Sequence, residues 1–180
     1  MDKVGPRLSF LKILLLASLM ASVGQPARAA EEYELKAAFL LNFTKFVGWP
    51  RDAFADAHAP LAICILGEDP FGDTLSEMVK GEAANGHELV VQRIRRAPEP
   101  KSCQVLFVAR TERDIARLLG ELGPGILTVG EGDRFLEDGG IIAFVVEDRR
   151  VRFDIAQSAA AKARLALSSR LMKVARTVVK

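Results

Sequence analysis

The sequence predicts an α/β domain, a three-layer α/β/α sandwich with a mixed, mostly parallel sheet. Three observations carry this expectation. As far as residue 125, short apolar runs alternate with helical stretches, the pattern of parallel βαβ units. The apolar runs 61–66 and 104–109 are hydrophobic on both alternating faces, as strands covered on both sides of a sheet must be. Beyond residue 140 two strands follow each other across a tight connection, which adds antiparallel pairing. With 180 residues, 49% of them hydrophobic and 27% charged, the chain forms one core without room for a second. Its 25 basic and 23 acidic residues give no basic field for nucleic acid, and no repeat or low-complexity tract recurs.

The elements follow from local pattern. Residues Glu31 to Val47 read as a helix, because Leu35, Phe39, Phe43 and Phe46 recur at helical spacing with Leu40 and Leu41 widening the stripe. Gly48-Trp49-Pro50 ends it, proline lacking a donor and fixing its own φ. After the strand Leu61 to Leu66, Gly67-Glu68-Asp69-Pro70 turns into a helix from about Phe71 to Val79, stopped by Gly81. Glu88 to Ile94 is a weaker strand, and Gln104 to Ala109 a continuous apolar one. Thr111 is the expected N-cap of a helix carrying Ile115, Leu118, Leu119 and Leu122.

Gly123-Pro124-Gly125 closes that helix, and Ile126 to Val129 forms a short strand. A helical turn within Glu131 to Asp138 leads to the strand Ile141 to Val146. Val151, Phe153 and Ile155 alternate with Arg152 and Asp154, a half-buried strand expected at a sheet edge. Two helices, Ser158 to Leu167 and Ser169 to Val179, complete the chain.

The first 29 residues read as a signal peptide. Lys3, Arg7 and Lys12 precede the apolar run 13–21, and Ala27-Arg28-Ala29 supplies an A-x-A cleavage signature. The run is shorter than the roughly 20 residues a bilayer span needs. Cleavage after Ala29 removes four bases and one acid, leaving residues 30–180 as a single domain close to neutral. Export places the protein in the periplasm, where thiols oxidise, so Cys64 and Cys103 are expected to form a disulfide. No CxxC pair marks a redox catalyst.

Motifs for catalysis are weak. Gly67 to Thr74 has the glycine spacing of a phosphate loop without its lysine, and Glu68, Asp69 and Asp73 would repel a polyphosphate. It reads as a strand-to-helix turn, as Gly130-Glu131-Gly132 reads as a turn. His58 in a polar loop and His87 at a strand start have no triad or metal-ligand signature. No cofactor and no metal are expected. Trp49 followed by Arg51 is the one pair with the character of a binding hot spot, although a tryptophan closing the core beneath the first helix is the plainer reading. Arg149, Arg150 and Arg152 make a basic hairpin end.

Glu34-Leu35-Lys36-Ala37-Ala38-Phe39, Phe46 to Pro50, Ile63 to Gly72, Cys103 to Val108, Thr128-Val129-Gly130, Gly139 to Ile142, Val151 to Ile155 and Ser168 to Arg176 together resemble the YfiR-like family of bacterial periplasmic proteins. The resemblance runs in order along nearly all of residues 30–180. It implies a non-enzymatic regulator that represses an inner-membrane diguanylate cyclase through its periplasmic part, lowering cyclic-di-GMP and biofilm matrix production. Cys64 and Cys103 match the family's cysteine pair, whose redox state is thought to tune repression. Ala156 and Gln157 stand where the family usually has Asn, and a second cysteine pair of some members is missing. Phe46, Trp49 and Arg51 are the candidate contacts to the cyclase, and a second copy of the chain is only a candidate partner beside it. A periplasmic small-ligand sensor, with Arg51 or Arg170 holding a carboxylate, is the alternative.

Overall fold

The computed structural model describes residues 25–99 and 101–180. The apolar run 13–21 of the expected signal peptide therefore lies outside the described residues, whereas Ala27-Arg28-Ala29 belong to a helix. By internal contacts the chain divides into Met1–Glu32 and Tyr33–Lys180. The described part of the first unit is the opening of helix α1 (Gln25–Phe46); the second contains the sheet.

The main sheet has eight strands. Five run parallel, in the order β4 (His87–Ile94), β2 (Leu61–Leu66), β5 (Val105–Val108), β6 (Leu127–Glu131) and β7 (Ile142–Glu147). β8 (Arg150–Ala156) joins β7 antiparallel, and β10 (Thr177–Val179) joins β8 parallel. At the other edge β3 (Ala83–Ala84) pairs antiparallel with β4. A separate two-stranded ribbon pairs β1 (Val47–Gly48) with β9 (Ala166–Leu167).

The two faces have distinct covers, as a three-layer sandwich requires. On one, Ile63, Ile65, Phe107, Val129, Phe144 and Phe153 meet α1 and the helix α2 (Asp73–Val79). The rings of Phe39 and Phe43 on α1 lie 5.1–6.0 Å from those of Phe144 and Phe153. The other face carries Ala62, Cys64, Leu66, Leu106 and Val108 against α3 (Ile115–Glu121) and the single turn α4 (Arg134–Glu137). β2 is buried at every position, the outcome its uninterrupted apolar sequence predicts.

Several boundaries differ from expectation, each for an identifiable reason. The buried stripe of α1 is centred on Ala37, Leu40 and Phe43, so Leu35 is exposed while Lys36 is fully buried against Glu131. Thr111 does not cap α3: its hydroxyl accepts a bond from the Glu68 amide, and Asp114, in the left-handed region, stands at the N-cap. The strand β8 is interior, because the last predicted helix stops at Val174 as α6 (Ser169–Val174) and the chain becomes β10. Arg176 directs this change. It chelates both oxygens of the buried Asp154 on β8, through Nε at 2.9 Å and through Nη2, so the three residues after it align with the strand. The helix expected over 158–167 is α5 (Gln157–Lys162), its end freeing β9 to pair with β1.

Gly130 and Glu131 are strand residues rather than a turn. A Cβ at Gly130 would lie 2.3 Å from the Phe135 ring, and one at Gly140 2.2 Å from the same ring. The two glycines thus form the slot for a side chain only 2% exposed. Gly130→Ala is expected to cost about 2 kcal/mol through this overpacking, measured as a lowered urea midpoint with an unchanged slope.

Candidate functional site

The segment joining α1 to β2 builds the candidate site. α1 runs directly into β1, which is held by β9, and the Ser168 amide donates to the Phe46 carbonyl at 3.0 Å. Pro50 then starts a 3-10 turn (Arg51–Ala53). This leaves Trp49 half-buried and Arg51 exposed on the wall of a cleft of about 530 Å³. Trp49 donates its indole N–H to the Gln104 carbonyl at 3.2 Å, which fixes the ring on β5's approach.

The opposite wall comes from a hairpin that sequence reading passed over. Asn85 and Gly86 both have positive φ, 54° and 84°, and join β3 to β4 through a two-residue turn. Asn-Gly is the pair that such a turn favours. The Asn85 amide donates to the carbonyls of Thr44 and Val47, at 3.0 and 3.2 Å, satisfying acceptors that the end of α1 leaves open. His87 follows the turn, its Nδ1 2.6 Å from the Ala59 carbonyl and its ring stacked on Phe54 with centroids 3.9 Å apart. The cleft is therefore aromatic on two sides, with Arg51 as its exposed cation and Asp56 also on the rim.

Gln104, outside the cleft lining, braces the segment that carries Trp49 and Arg51. It is 1% exposed, its Oε1 accepts from the Ala62 amide at 2.9 Å and its Nε2 donates to the Ala53 carbonyl at 2.8 Å. One side chain thus ties the start of β2 to the 3-10 turn, while its own backbone holds Trp49. Gln104→Ala leaves two buried backbone groups without this partner, and a loss of about 2 kcal/mol is expected. Chemical denaturation should show that loss, and the Trp49 emission should shift to longer wavelength as the cleft loosens.

Beside the cleft, Asp52 accepts a 2.7 Å bond from Arg164 on the segment that leads to β9. That bond holds the Asp52 carboxyl below its ordinary value, so the pair contributes above the ordinary carboxylate range and is lost as the pH falls through the lowered one. Both groups are exposed, and the contribution is small.

Of the residues singled out from sequence, the structure brings Trp49 and Arg51 together. Phe46 packs, partly buried, against the core beneath α1, and Arg170 is exposed on α6 outside the cleft lining. His58 is exposed in an Asx turn, its amide donating to Asp56 Oδ1 at 2.8 Å. Among the described residues, no cluster of three or more His, Cys, Asp or Glu is placed to hold a metal, and no helix is long and apolar enough to cross a membrane. Cys64 and Cys103 are bonded, with Cα atoms 6.0 Å apart and both residues at most 1% exposed.

A family model described as YfiR/HmsC-like matches residues 33–176. The chain belongs to the YfiR/HmsC-like family. The family is a regulatory one, and its members are periplasmic proteins of the cyclic-di-GMP system. The match covers every strand of the main sheet except β10 and ends at Arg176, the residue that chelates Asp154. No curated protein matches the sequence. A crystal structure of a conserved domain protein from Vibrio cholerae O1 biovar eltor str. N16961 is similar, with TM-score 0.47 and 11% identity, over 81% of this chain and 60% of that one.

Proposed function

We propose that this YfiR/HmsC-like protein represses an inner-membrane diguanylate cyclase by binding its periplasmic part through the surface around Trp49 and Arg51. Family membership over residues 33–176 carries the reading. The cleft supports the choice of surface, since an exposed arginine beside an anchored tryptophan has the composition of a protein-binding hot spot. Repression then works by differential affinity: the protein binds one conformation of the cyclase and draws the population into it. Moving such an equilibrium from 1:99 to 99:1 takes about 5.5 kcal/mol of preference, within reach of one interface of ordinary size.

The test is co-expression of the exported protein with a candidate cyclase, reading cyclic-di-GMP. Wild type should lower the level. Arg51→Glu, a change on an exposed side chain, should weaken repression about tenfold with an unchanged melting temperature. If Arg51→Glu and Trp49→Phe both repress as wild type does, the binding surface lies elsewhere; if wild type lowers the output of no cyclase, the repressor reading fails.

The cleft also favours a second reading, a small-ligand sensor in which Arg51 holds a carboxylate against the Trp49 and Phe54–His87 walls. A ligand selective for the folded state raises thermal stability by mass action, about 2.7 kcal/mol at a hundredfold excess over its Kd. A panel of small carboxylates should then raise the melting temperature of wild type and not of Arg51→Ala.

A further inference from the structure

A second cleft lies across the molecule, on the sheet face covered by α3 and at the carboxyl end of β4. Its volume is about 360 Å³. Four guanidinium groups line it from three separate segments: Arg95 and Arg96 just after β4, Arg113 in the loop after β5, and Arg117 on α3. Arg117 has an ion pair with Glu121 at 3.6 Å. The other three are exposed, and no ion pair engages them among the described residues. Every basic residue of the cleft is arginine, in a chain that also has nine lysines to draw on.

We infer that this cleft binds a compact phosphate-type anion, either free phosphate or the phosphate of a lipid headgroup. Guanidinium presents a planar fork of donors that matches two phosphate oxygens at once, which an ammonium does not. Forks arriving from different segments surround one small group rather than track a chain. The carboxylates of Glu112, Asp114 and Glu121 also line the cleft. They leave a net charge of only +1 there, so an extended polyanion meets repulsion along the rim, while a single compact group contacts the arginines between them. This site is separate from the Trp49 cleft and does not depend on the repressor reading.

The experiment uses purified protein without its signal segment in chloride buffer, with two arms. Inorganic phosphate is titrated by calorimetry, and vesicles of phosphatidylglycerol are compared with vesicles of phosphatidylcholine by co-sedimentation. Arg95→Ala/Arg96→Ala should weaken binding in the responding arm about tenfold or more. Arg149→Ala/Arg150→Ala removes the same charge from the distant β7–β8 hairpin and should change it less than about twofold. Arg113→Lys keeps the charge, removes the fork and should still weaken binding. Circular dichroism and melting temperature confirm that each variant is folded. Saturable phosphate binding without vesicle binding assigns a free anion; selective binding to phosphatidylglycerol assigns a headgroup. Response in neither arm, or equal loss in the two double variants, overturns the site.

Discussion

Cys64→Ala/Cys103→Ala is expected to remove about 4 kcal/mol of stability, the chain-entropy value for a bridge closing a separation of 39 residues. The closed loop runs from the middle of β2 through α2, β3 and β4, so without the bridge the unfolded chain regains freedom that the native sheet never had. For a domain of this size the melting temperature should fall by roughly 10 °C. Alanine is the cleaner replacement. The sulfurs lie among Leu66, Leu106, Val108 and Phe135, where a serine hydroxyl would add its own desolvation cost of about 1–3 kcal/mol. Burial also predicts the kinetics. A thiol reagent reaches the bridge only after local or global opening, so dithiothreitol should reduce the native protein slowly and at a rate that rises with urea. Fast reduction in buffer alone, or a stability loss below about 1 kcal/mol, contradicts this account. It makes any redox dependence of regulation a matter of how much folded protein is present, read as repression that declines in step with the folded fraction.

The layers and most strands were legible because they rest on local signals. β2 and β5 are apolar at every position, and such a run has one stable environment, the middle of a covered sheet. The alternation in β8 correctly marks a strand, yet its edge position was a wrong inference: an exposed Arg152 is equally compatible with a strand whose next neighbour arrives from the far end of the chain. Val178 fits a helical stripe in sequence, and only the distant Asp154–Arg176 contact makes it a strand residue. The site was half legible. Trp49 and Arg51 stood out by residue type, whereas Gln104 reads as an ordinary polar residue until the chain folds around it. Asn85-Gly86 did carry a usable signal, the favoured pair of a two-residue hairpin, and it would have placed His87 beside the cleft.

Glu131→Gln should destabilise the protein more than Lys36→Met, and the asymmetry tests how the buried charge beneath α1 is organised. Glu131, its side chain 1% exposed, is the hub. Lys36 donates to its Oε1, Arg110 to its Oε2 at 3.0 Å, and the Tyr33 hydroxyl lies 3.3 Å from both oxygens. Lys36 Nζ also sits 4.4 Å above the Tyr33 ring. Neutralising the carboxylate withdraws the charge on which two cations converge, and a loss of about 3–5 kcal/mol is expected. Lys36→Met removes one donor and leaves Arg110 and Tyr33 on the carboxylate, while the methionine fills the apolar space of the lysine stem; about 2 kcal/mol is the expected cost. Because the pair is shielded from solvent, urea midpoints should preserve this order between 0.05 and about 0.5 M salt, concentrations that would screen a surface pair. Equal losses in the two variants would mean that Arg110 and Tyr33 add nothing to the Glu131 carboxylate beyond its pair with Lys36. A double variant whose loss falls well short of the sum would show that the two side chains act on each other and not through separate neighbours.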